Sequence, residues 1–131
     1  MSWIPTDKEI AAVVQLDDQK RYDYWLRKVA ELRVVWSVAQ KGSWALTSDD
    51  LGSELVPVWP HEEFAAECAK EAWPRYSPKP IQLNTWFERW VPGMERDGRL
   101  VAVFPALGKP GLAVEPARLE TDLRRELANY E

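Results

Sequence analysis

Eight of the 131 residues are tryptophan, in a chain with one cysteine and one histidine, and that combination limits what can hold the fold together. The lone Cys68 permits no intramolecular disulfide and no cysteine-built zinc centre, and His61 alone is a thin basis for a metal site. Stability has to come from a packed interior. Each buried aromatic removes ~150–250 Å² from water, so a few indoles can anchor a core of this size. Large aromatics are mostly covered in folded chains, which places each tryptophan in the core first. Any indole left at the surface becomes a candidate binding anchor.

The length suits one domain of ~100–150 residues. Hydrophobic residues at 46% and charged residues at 29% fit a globular chain. We expect a single α+β domain over 17–131, with 1–16 as an N-terminal arm or short helix. The net charge of −4 and a pI near 5.1 argue against nucleic acid as a partner, because such modules carry a basic excess. No run reaches the ~18 apolar residues of a membrane span, and Met1 to Asp7 lacks the basic-then-apolar order of a secretory signal. The expectation is a cytoplasmic protein with no membrane partner.

Helical spacing is clearest where Tyr22, Trp25, Leu26, Val29 and Leu32 recur every three or four residues behind Asp17 and Asp18, which predicts a helix over 18–33. Upstream, Ile10, Val13 and Val14 behind Thr6 or Asp7 have the same spacing. From Val34 the period changes. Val34–Ala39, Trp44–Thr47 and Glu54–Trp59 read as a three-strand meander with a corner at Lys41-Gly42. Pro57 cannot donate to a ladder, so its strand is expected at an edge or with that position on its unpaired side. Further helices are predicted over 61–72, opened by Pro60 and His61, over 85–91, and over 117–129 behind Pro116. Thr85 and Glu88 have capping-box spacing, and Pro92-Gly93 is expected to bend or end the helix they open. Ile81–Leu83, after the Pro-rich 77–80 connection, reads as a short strand. Arg99–Phe104 reads as a central, doubly covered strand followed by a partner at Leu112–Val114. The architecture implied is a single mixed, mostly antiparallel sheet of five to six strands packed by about four helices.

The stretches Trp44–Phe64 and Trp86–Pro105, with Arg21–Leu26 and Val114-Glu115-Pro116, resemble the DUF2750 family from about residue 17 to the end. The resemblance implies a small bacterial α+β domain. It implies no catalytic residue, since the family has no assigned reaction.

The residues themselves give little support to catalysis. His61 and Cys68 are seven apart, ~10.5 Å along a helix, too far for a nucleophile and its base. Cys68 shares an apolar stripe with Phe64 and Ala72, the setting of an inert core thiol. No glycine-rich phosphate loop or nucleophile elbow is present, and no cofactor or metal is indicated. One charge feature stands out. Between Lys41 and Lys70 there is no Lys or Arg, while Asp49, Asp50, Glu54, Glu62, Glu63 and Glu67 all fall there, beside Trp44 and Trp59. The leading expectation is a noncatalytic interaction domain that presents Trp44, Asp49, Asp50, Trp59, His61 and Glu62 to a basic protein partner, as an inhibitor or immunity-type protein would. The competing expectation is a small-molecule binder or hydrolase with an aromatic pocket at Trp86, Trp90 and His61. An ordinary solvated acidic rim over inward-facing indoles competes with both.

Overall fold

The change of period at Val34 is a change of element in the computed structural model, which describes residues 3–106 and 108–130. Helix α1 (Asp7–Val13) is capped by Thr6, whose hydroxyl accepts from the Glu9 amide. Helix α2 (Asp18–Leu32) starts on Asp17, whose carboxylate accepts from the Lys20 amide, and stops where Arg33 turns left-handed. Its buried face holds the expected Tyr22, Trp25, Leu26 and Val29, and also Arg21 and Tyr24.

Strand β1 (Val34–Gln40) turns at Lys41-Gly42 into β2 (Ser43–Trp44). Both corner residues have positive φ, the requirement of a two-residue hairpin whose twist matches its strands. The predicted meander divides at this point. Ala45 donates to Val38, and the chain then leaves β1: Thr47–Ser48 (β3) pairs with β4 (Glu54–Val58) instead. Among the described residues there are two sheets, β2-β1-β5 and β3-β4-β6-β7, and the single sheet expected from sequence is corrected to this pair. The sheets meet at a Trp36–Trp59 bridge bonded in both directions.

Strand β4 is not an edge strand: it lies between β3 and a parallel β6 (Leu100–Val103), which in turn pairs antiparallel with β7 (Leu112–Val114). Pro57 is tolerated because β3 has ended before it. On that side its carbonyl accepts the Ser37 hydroxyl at 2.7 Å. Strand β6 is central and buried, as its apolar run implied. It ends on Phe104 at φ 59, an unusual backbone for an aromatic residue, pinned by its amide to Val58 and by its carbonyl to Arg21.

Helix α3 (Glu62–Ala72) begins on His61, whose Nδ1 accepts from the Glu63 amide. The Pro-rich 77–80 stretch, expected as a connection, is the first part of strand β5 (Ser77–Gln82) along β1. The next helix also differs from expectation. It begins at Leu83 rather than at residue 85, as α4 (Leu83–Thr85), and runs through a wide i→i+5 turn over Trp86–Trp90 into α5 (Val91–Asp97). Thr85 is already helical and makes no capping bond; the Thr85 amide is taken by the Asn84 side chain. Pro92 does not end the helix. Its missing N–H and bulky ring would conflict with Glu88 in a regular helix, and the wide turn directly before it absorbs both. Helix α6 (Pro116–Leu127) closes the fold through Leu119, Leu123 and Leu127.

Candidate functional site

All eight tryptophans are at least partly covered; Trp25, Trp59 and Trp86 are wholly buried. Trp59 donates its indole N–H to the Pro105 carbonyl at 2.8 Å and has no surface to offer a partner, so it leaves the set of candidate contacts. Trp86 is likewise a core residue. It stacks on Trp90, four residues on in the wide turn, with rings 5.7 Å apart and 18° from parallel. Trp90 in turn meets Trp44 edge to face, at 4.9 Å and 88°.

The half-buried Trp44 and Trp90 form one wall of a cleft of about 440 Å³ between β2, β4 and the Trp86–Asp97 helical segment. Val56 and Met94 give it an apolar floor, and Arg89, Asp97 and Arg99 stand on its rim. The Arg99 guanidinium is held between Glu54 at 3.2 Å and Asp97 at 3.4 Å. Arg89 is exposed and makes no ion pair among the described residues. Gly93 also lines the cleft, inside a helix where glycine costs roughly 0.5–1 kcal/mol against alanine. A Cβ built there would meet only the far end of Arg96 at 3.6 Å, so the missing side chain leaves room rather than relieving a clash. Arg89, Gly93 and Arg99 carry no periodic or motif signal, and sequence reasoning missed them.

His61 is elsewhere. It is buried, caps α3, and has Trp3 (5.3 Å) and Trp36 (6.1 Å) as ring neighbours; it does not line the Trp44–Trp90 cleft. The expected grouping of Trp86, Trp90 and His61 reduces to Trp90, with Trp86 behind it.

The acidic segment is divided as well. Asp49 and Asp50 lie in the turn before β4, whereas Glu62 and Glu63 open α3 beyond its other end, and a five-residue strand is roughly 15 Å long. Glu54 is paired with Arg99, and Glu67 with Lys70 at 3.0 Å. What remains is a local tip. One Asp49 oxygen accepts from the Leu51 amide at 3.0 Å and the Ser53 amide at 2.9 Å, fixing a turn on which Leu51 is 91% exposed beside Asp50.

A family model described as a protein of unknown function, DUF2750, matches residues 22–123. The chain belongs to the DUF2750 family. The match takes in the Trp44–Trp90 cleft and the Asp49–Leu51 tip, and leaves α1 outside it. No curated protein and no solved structure matches this DUF2750 chain. No helix of the described residues is long and apolar enough to cross a membrane.

Proposed function

We propose that this DUF2750 protein is a noncatalytic binding domain whose cleft takes a small anion with a planar apolar body. The observation that carries this reading is the pairing of two half-buried indoles with two guanidiniums around one floor of Val56 and Met94. Indole faces reward a flat apolar partner, and Arg89, which makes no ion pair among the described residues, can orient a carboxylate or a related oxyanion. The polar lining supplies recognition groups rather than a nucleophile with an adjacent base: Ser43 and Asp97 are its hydroxyl and carboxylate, and the carboxylate is engaged by Arg99. Naphthalene-2-carboxylate and its neutral amide are suitable probes, with tryptophan fluorescence as the readout. The carboxylate should bind more tightly than the amide. Arg89→Gln should erase that preference, a change of about tenfold for one charge-assisted hydrogen bond, and Trp90→Leu should weaken both probes. Equal affinity for acid and amide in the parent protein would refute the reading.

A second reading rests on the rigid Asp49–Leu51 tip, which offers an apolar knob flanked by acid to a basic protein surface. This is the surviving part of the acidic-sector expectation, and the place where a cytoplasmic bacterial protein of inhibitor type would make contact. With a purified basic partner, binding should fall steeply with salt and be lost in Leu51→Ser and Asp50→Lys. It should survive Glu62→Lys, at the far end of β4. Sensitivity to Glu62→Lys equal to that of Asp50→Lys would count against the tip.

A further inference from the structure

A second hollow lies beneath α1. Its volume is about 360 Å³, and its walls are Ile10 and Val14 from the N-terminal segment, Phe64 and Cys68 from α3, and Phe104 and Ala106 after β6. Ligand clefts begin near ~300 Å³, so this partly open hollow is of ligand size. One wall is set in advance. Phe104 keeps its left-handed φ of 59 only because Val58 and Arg21 hold its amide and carbonyl, and backbone outliers so fixed are found at ligand clamps.

The mouth carries charge of one usable sign. Lys109 donates one hydrogen bond from Nζ to the Val14 carbonyl at 3.1 Å, tying the segment after β6 to the end of α1. An ammonium group has three donors, so others remain for a ligand. The carboxylate at the mouth, Glu67, is engaged by Lys70 at 3.0 Å, and Gln15 adds a neutral amide.

We infer that this hollow is a second binding site, for an aliphatic or aryl monocarboxylate whose apolar tail lies between α1 and α3 and whose carboxylate meets Lys109. Because α1 supplies one wall and lies outside the residues matched to the family, occupancy would clamp this N-terminal helix onto the DUF2750 body. The site shares no lining residue with the Trp44–Trp90 cleft, so the two readings stand or fall separately.

The test uses the full chain with octanoate and octanol as probes. With octanoate, amide NMR shifts should cluster on 10–15, 64–68, 104–106 and 109. Lys109→Ala should weaken octanoate about tenfold and leave octanol unchanged. Val14→Trp, or Ala106→Leu from the opposite wall should the first variant fail to fold, should abolish binding of both. Trp90→Leu should change nothing here. Shifts centred on Trp44 and Trp90, or an octanoate affinity unaffected by Lys109→Ala, would overturn the proposal.

Discussion

Arg21 carries a guanidinium that links separate places in the chain. It is wholly buried, donates to the Phe104 carbonyl at 3.1 Å and to the Leu16 carbonyl at 2.5 Å, and is paired with Asp18. One guanidinium therefore ties α2 to the chain before it and to the end of β6. Nothing in its sequence neighbourhood announces this, since arginine inside a helix normally reads as solvated. Cys68 was readable: its place on the stripe of Phe64 implied an inert thiol, and burial pushes it up to about 11 from an ordinary 9.0. The unfolded chain sheds this proton first, so the thiol's contribution to stability is complete below about pH 9 and is lost as pH rises toward 11. Tyr22 and Tyr24 are raised too, first by burial and then by hydrogen bonds to Asp122 and Glu9, and they add a loss of the same sign that sets in as pH nears 10. Urea unfolding between pH 9 and 10 should show stability falling by about 1.5 kcal/mol, with roughly half of that slope removed in Cys68→Ala and the rest left to Tyr22 and Tyr24. A flat profile over that interval in the parent protein would contradict the burial argument.

Among the elements, α2, α3 and α6 were legible because period and start signals agreed, a cap in α2 and α3 and Pro116 in α6. Strand β5 and the Leu83–Asp97 segment were not, and proline is the reason in both. In β5, Pro78 and Pro80 face Val38 and Trp36. Trp36 spends its backbone bonds on Trp59 and Val38 accepts from Ala45, so these positions of β1 point away from β5. By the alternation of an antiparallel ladder, Pro78 and Pro80 place their missing donors on the open edge. A proline rule read from sequence counts broken bonds, whereas here there was none to break. The open edge therefore presents carbonyls without N–H groups opposite Trp36 and Val38, which blocks strand addition by another chain. Pro80→Val should restore a donor and increase concentration-dependent self-association in size-exclusion chromatography. Elution unchanged over a wide concentration range would show that the prolines guard nothing. In the Leu83–Asp97 segment, Pro92 was read as a bend or a stop because a regular helix cannot accommodate it, and the wide turn is a solution that residue spacing does not encode.

At the scale of the molecule, the α+β class followed from the sequence, and the division into two sheets did not. The switch occurs across Trp44–Thr47, a stretch that reads as one strand and serves two, β2 in one sheet and β3 in the other. That switch also creates the candidate cleft, because Trp44 meets Trp90 at the end of β2 and the chain then leaves β1 after Ala45, bringing Leu46 and Val56 into the lining. Trp90 was nominated for its type; its neighbours could be named only once the two sheets were known. The parallel pairing of β4 with β6 has a consequence for how the chain reaches this state. Everything from α3 to α5 lies between those two strands in sequence, so their union closes a long loop. Short-range partners such as the β1–β2 hairpin and α2 can form before it. The rate of acquiring the native state is then governed by that late closure, and the cleft and the hollow under α1, both built partly on residues after α5, come into being with it.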